Sequence, residues 1–188
     1  SMAGRDWAPP VGDPLRALNL QKRTILVTAH RRENFGGPLQ GICTALRRLA
    51  AREDVQIIYP VHPNPQVETP VHEMLGGVSN VMLVPPVDYQ RLVYLLKNCV
   101  LVLTDSGGIQ EECCILKTPC VTMRKNTERP ETVDVGGNIL AGTDPEAILS
   151  CAKVMDHAPR TWENPFGDGR AGERVIKHLK EILPDQRR

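Results

Sequence analysis

The chain has 188 residues, 41% of them hydrophobic and 24% charged, enough to build one domain with a real core. Its formal net charge of +1 argues against nucleic acid or a membrane surface as the main partner, because both call for a basic excess. No apolar run approaches the roughly 20 residues of a membrane helix, and no secretory signal precedes the first strand.

Ser1-Met2 reads as a tag-cleavage scar. Residues 1–22 are polar and carry Pro9, Pro10 and Pro14, so they read as tag remnant and linker, with the domain running from 23 to 188. "TILVTA" (24–29) reads as a buried strand. "PLQGICTALRRLAARE" (38–53) sets Leu39, Ile42, Cys43, Leu46, Leu49 and Ala50 on one helical face, with Pro38 at its start. "VQIIYPV" (55–61) is the second strand, "PVHEML" around Pro70 a short helix, and "VMLV" (81–84) the third strand. "DYQRLVYLLKNC" (88–99) is helical and "VLVLT" (100–104) the fourth strand. A helix over 108–116, a strand over 119–123 and a strand over 138–142 follow. "DPEAILSCAKVM" (144–155) has Asp144 as cap and Pro145 at the first helical position. After a loop at 156–169, residues 170–183 form the last helix.

Continuous apolar strands alternating with helices predict an α/β fold: a doubly wound, mainly parallel, six-stranded Rossmann-like sheet with helices on both faces. Ligands bind such sheets beyond the carboxyl ends of the strands. The unusual polar residues fall there: His30 to Asn34 after the first strand, His62 and Asn64 after the second, Asp105 to Gly108 after the fourth, and Arg124 to Glu131 after the fifth. The opposite loops read as plain connectors.

In "LTDSGGIQEE" (103–112) a strand ends in Asp105-Ser106-Gly107-Gly108 and a helix begins. A helix start exposes unpaired N–H groups and partial positive charge, and glycines let an anion reach them. Ser106 can add a hydroxyl, and the Glu112 carboxylate can accept both hydroxyls of a ribose. The same stretch also fits an ordinary capped helix with Glu in its first turns. It matches neither the dinucleotide nor the P-loop fingerprint. His30, with Arg31 beside it, suits a phosphate donor or an acid-base group, or is simply a surface histidine. Arg129 in "MRKNTERPE" suits bidentate contact with a diphosphate. His30 and His62 lack metal-ligand spacing, and neither metal nor cofactor is expected. Six cysteines (Cys43, Cys99, Cys113, Cys114, Cys120, Cys151) read as small buried hydrophobes in a reducing cytoplasm, with a redox role for Cys113-Cys114 as the alternative.

"VTAHRRENFG", "YPVHPNP", "LTDSGGIQEE", "MRKNTERPE" and "NPFGDGRA", in this order and spacing, resemble the carboxyl-terminal half of the non-hydrolysing UDP-N-acetylglucosamine 2-epimerases. The resemblance runs from about Thr24 to Ile182. It implies one half of a GT-B architecture holding the UDP part of UDP-GlcNAc, in a usually homodimeric family. His30 would then touch the diphosphate region and matter for catalysis. Ser106, Gly107 and Gly108 would hold the diphosphate, Glu112 the ribose, and Arg129 would contribute to the nucleotide site. His62 would sit by the cleft, where some members bind a regulatory substrate molecule. Arg31, Leu92 and Glu128 are further cleft candidates. The resemblance implies that the carboxylates abstracting the C2 proton belong to an amino-terminal half missing here, so the fragment alone is expected to be inactive. Two departures stand out: Leu92 where an aromatic often packs on uracil, and Lys117 where a helix-ending glycine is common. The alternatives are the donor half of a GT-B glycosyltransferase and a non-catalytic UDP-sugar-binding module.

Overall fold

A computed structural model describes residues 7–19 and 21–183. The six predicted strands are present: β1 (Arg23–Thr28), β2 (Val55–Pro60), β3 (Val81–Val84), β4 (Leu101–Thr104), β5 (Cys120–Thr122) and β6 (Asn138–Leu140). All pair in parallel, in the order β3-β2-β1-β4-β5-β6. Successive strands are added to one side of β1 up to β3 and to its other side from β4 on, so the strand order switches between β1 and β4. That switch opens a crevice at the carboxyl ends of these two strands, where doubly wound sheets bind ligands.

Seven α-helices accompany the strands among the described residues: α1 (Gly37–Ala50), α2 (Pro65–Leu75), α3 (Tyr89–Asn98), α4 (Gly107–Leu116), α5 (Pro130–Asp134), α6 (Pro145–Asp156) and α7 (Ala171–Ile182). Alternate residues of each strand face opposite sides, which divides the core in two. Ile25, Val27, Ile57, Tyr59, Leu101 and Leu103 pack with α1, α2 and α6. Leu26, Ile58, Val102 and Cys120 pack with α3 and α4. The parallel, six-stranded, two-faced layering expected from the alternating pattern is what the sheet shows.

Three segments differ from the sequence reading. Residues 13–18 are not linker. Asp13 caps a 3-10 helix at Pro14–Ala17, and Leu15 and Leu18 are buried in the second core. Pro14 marks a capped turn, since proline tolerates a first helical position. The scar expected at Ser1-Met2 lies outside the described residues. Next, α2 starts five residues before Pro70: Asn64 caps it and Pro65 opens it. Third, Pro130–Asp134 is a helix, not loop.

Cys43, Cys99, Cys113, Cys114 and Cys120 are buried and Cys151 half-buried, all as free thiols. Burial pushes Cys43 up to about 11 and Cys99 to about 12, so neither is a thiolate at neutral pH. Lys117 ends α4 in the left-handed region, φ 60°. Its ammonium is satisfied by the Trp162 carbonyl. None of the α7 residues is buried, and Val175, Ile176, Leu179 and Ile182 are exposed on it. Among the described residues no helix is long and apolar enough to cross a membrane.

Candidate functional site

The site forms where the loops after β1 and β4 meet, and a buried carboxylate joins them. The Asp105 N–H donates to the Thr28 carbonyl (3.1 Å), keeping the two strands in step past their ends. Asp105 Oδ2 accepts from the backbone N–H groups of His30 (2.8 Å) and Arg31 (2.7 Å) and from the Asn34 side-chain amide (3.0 Å). The loop carrying His30 is therefore fixed to the end of β4. The His30 ring is 40% exposed, with Nδ1 3.6 Å from Asp105 Oδ1. It stacks on His62, ring centroids 5.5 Å apart and planes 13° apart. His62 Nδ1 accepts from the Asn64 N–H (3.2 Å). Sequence reasoning placed both histidines in the cleft; the structure makes them neighbours.

At the start of α4, Ser106 is the cap residue, yet its side chain makes no capping bond. Its N–H donates to the Thr104 hydroxyl instead (3.0 Å). The first-turn amides at Gly107 and Gly108 lack helical acceptors, as at any helix start. No atom comes within 4 Å of a notional Cβ on Gly108. Over Gly107 stand the Glu128 carboxyl carbon (3.8 Å) and Arg31 Nη2 (3.9 Å), measured from a notional Cβ. Arg31 Nη2 donates to Glu128 Oε1 (3.1 Å). Arg124, buried, bridges Glu128 and Glu33. A hydrogen bond from its own backbone N–H, then Arg124, hold Glu128 below the usual carboxylate range.

Arg129 pairs with Glu111 on α4 and also donates to the Glu128 carbonyl (2.9 Å). The guanidinium that the fold brings beside Gly107 is that of Arg31. The strand-five loop is held by a buried amide network. The Gln110 side-chain oxygen accepts from the Thr127 hydroxyl (2.6 Å) and the Asn138 side-chain amide (3.2 Å), and the Thr127 hydroxyl accepts from the Arg129 N–H (3.0 Å).

One turn into α4, Glu112 Oε2 is buried without a hydrogen-bond partner. Burial raises this carboxyl above the ordinary range, with the Tyr89 hydroxyl partly opposing the shift and Glu111 adding to it. Tyr89, at the start of α3, is 49% exposed. Leu92 is half-buried and packs against the second core. The aromatic side chain next to Glu112 is thus Tyr89, a turn before Leu92. Among the described residues no group of three or more His, Cys, Asp or Glu is arranged to hold a metal ion.

Sequence reasoning assigned no task to Asp105, Asn34, Arg124, Gln110 or Tyr89. One signal was available: an acidic residue directly after a wholly buried strand, at the end where doubly wound sheets bind ligands. A carboxylate that is buried there, as Asp105 is, needs donors.

A sequence model of the family described as UDP-N-acetylglucosamine 2-epimerase matches residues 10–180. The chain belongs to that family. It is 45% identical over 170 residues to the UDP-N-acetylglucosamine 2-epimerase of Yersinia pestis, covering 87% of this chain and 45% of that protein. Its fold matches the UDP-GlcNAc 2-epimerase of Neisseria meningitidis bound to UDP-GlcNAc (TM-score 0.82, 34% identity, 87% of this chain and 46% of that one). It likewise matches the UDP co-structure of S. aureus MnaA (TM-score 0.81, 38% identity, 87% and 47%). The chain spans about half the length of the curated relatives it matches. Its sheet and helices are those of one half of a GT-B epimerase. A further fold match, an E. coli heptosyltransferase with ADP at 15% identity and TM-score 0.57, covers 75% of this chain and 47% of that one, and speaks for the architecture alone.

Proposed function

We propose that this chain is the UDP-binding half of a non-hydrolysing epimerase that interconverts UDP-GlcNAc and UDP-ManNAc. The reaction would remove the C2 proton and break the bond from C1 to the UDP oxygen, leaving a glycal. UDP then adds back while a proton returns to the opposite face of C2. The observation that carries this reading is the pairing of two features one turn apart on α4. A bare Gly107-Gly108 amide start faces Arg31, and a buried, unpartnered Glu112 oxygen follows it. The first suits a diphosphate and the second the hydroxyls of an attached ribose.

Leaving-group departure needs the developing diphosphate charge stabilised by donors already in place. Gly107 and Gly108 amides, the Ser106 hydroxyl, His30 and Arg31 supply them, and Arg129 joins once a ligand competes for its pairing with Glu111. Tyr89 offers the aromatic face that Leu92 lacks, and His62 and Glu128 border the cleft. Abstraction of the C2 proton is assigned, as the family resemblance implies, to carboxylates in the half of the relatives' length that this chain does not span. The exposed α7 stripe gives such a half a surface to cover. Free buried thiols fit a reducing cytoplasm.

Isothermal titration of this chain with UDP, beside UDP-GlcNAc incubated with it in D2O, tests the reading. Expected are weak UDP binding and no deuterium at C2. Wash-in at C2 by this chain alone, or absence of UDP binding, would overturn it.

A further inference from the structure

Asp105 is wholly buried, and its two carboxylate oxygens are used differently. Oδ2 is saturated by three donors: the N–H groups of His30 and Arg31 and the Asn34 amide. Oδ1 is buried with no hydrogen-bond partner. It lies 3.6 Å from His30 Nδ1, slightly beyond hydrogen-bond length. A buried acceptor left unpaired is costly, and a small turn of the imidazole supplies its donor. The ring is held on a face as well, by its stack on His62.

We propose that Asp105 is a positioning residue: it keeps a proton on Nδ1 of His30, so that Nε2 is the ring nitrogen left for the ligand. An ionised carboxylate only accepts, so the nitrogen facing it must donate. This holds in either charge state of the ring. A neutral imidazole then has a bare Nε2; an imidazolium presents a second N–H there, matched to a diphosphate oxygen. His62 is set the opposite way. Its Nδ1 accepts from the Asn64 N–H, which puts the proton of its neutral ring on Nε2. The two stacked rings then carry complementary tautomers: Asp105 Oδ1 faces Nδ1 of His30, and the Asn64 N–H donates to Nδ1 of His62. One carboxylate thus does two jobs: Oδ2 fixes the backbone of His30 and Oδ1 orients its ring. The assignment of Nε2 to the ligand rests on the epimerase reading; the tautomer does not.

The test is a long-range proton–nitrogen correlation spectrum of the chain with 15N-labelled histidine, in mildly alkaline buffer, with His30 identified by the signals lost in His30→Gln. The expected pattern for His30 is a protonated Nδ1 and a bare Nε2. Asp105→Asn should reverse it. Three donors already converge on Oδ2, so the amide oxygen must take that place. The NH2 group then replaces Oδ1 and faces Nδ1, which has to become an acceptor. A His30 proton on Nε2 in the unsubstituted chain would overturn the proposal, as would an unchanged tautomer in folded Asp105→Asn. If that variant does not fold, the unsubstituted spectrum decides by itself. UDP titration of the same sample separates the two claims. Loss of UDP binding with the Nδ1 pattern intact sinks the epimerase reading and leaves the positioning role standing.

Discussion

The Glu128 carboxylate lies over Gly107: its carboxyl carbon is 3.8 Å from where a Cβ on that glycine would stand. An acidic group therefore sits at the positive end of α4, the position the proposal gives to a diphosphate. Arg31 and Arg124 hold it there. A ligand anion would share these cations with Glu128 and meet its charge. Glu128→Gln removes the repulsion and keeps the shape. The expected result is UDP binding about threefold tighter at low salt, with the gain shrinking as salt rises. Titration calorimetry at two ionic strengths checks it.

Gly107 separates stability from binding. Its backbone is not in a left-handed conformation, and an added Cβ would meet only ordinary contacts at 3.8 Å or more. Alanine is the better helix former by about 0.5–1 kcal/mol. Gly107→Ala is thus expected to leave the thermal midpoint unchanged or raise it slightly. The methyl group would stand between the first-turn amides and an anion, so UDP affinity should fall at least about tenfold. Melting curves and UDP titrations on the same preparation give both readings.

Lys117 closes α4 with φ 60°, a conformation that costs a non-glycine residue about 1–2 kcal/mol. Its ammonium partly offsets this by donating to the Trp162 carbonyl, and it lies 5.7 Å from the indole centroid. Glycine removes the backbone cost and loses those contacts; alanine loses the contacts and keeps the cost. Lys117→Gly should raise the melting temperature by about 1–2 °C, and Lys117→Ala should lower it by about 2–4 °C. Equal shifts in both variants would show that the contacts, not the backbone, dominate.

Local signals carried the fold further than the site. β1 to β6 were legible because each is a short apolar run bounded by turns, and the parallel order follows from the helices between them. The end of the sheet where the candidate site lies was legible too, since His30, His62 and Ser106 to Gly108 all follow strands. Asn64-Pro65 is a plain helix start, but Pro70 drew the boundary onto itself; α2 carries it inside its length. Pairings between distant residues were not legible. Asp105 meets His30, Arg31 and Asn34 across more than 70 positions, and no local pattern records that. The same holds for Arg129. Its charge and place invited contact with a diphosphate, but the partner beside it is Glu111. Leu15 and Leu18 were hidden by their prolines, which mark a linker and a capped turn equally well.

Glu112 is half-buried, its Oε2 is buried without a partner, and its carboxyl is raised above the ordinary range, chiefly by desolvation. A raised folded-state value means the folded chain holds this proton more tightly than the unfolded chain. The group then weighs against folding once it ionises, so stability falls as pH rises through the raised value and recovers below it. Glu112→Gln cannot ionise and should escape that penalty. It is expected to melt about 1–2 °C higher than the unsubstituted chain at neutral pH, with the difference vanishing in acid. Binding should move the other way. A carboxylate can accept both ribose hydroxyls, whereas an amide offers only one acceptor oxygen, so UDP affinity should drop about tenfold or more. In the unsubstituted chain that affinity should also weaken as pH falls through the raised Glu112 value. Melting curves across pH, paired with UDP titrations, check both limbs. A variant that binds UDP as well as the unsubstituted chain would remove Glu112 from the site, whatever its melting temperature.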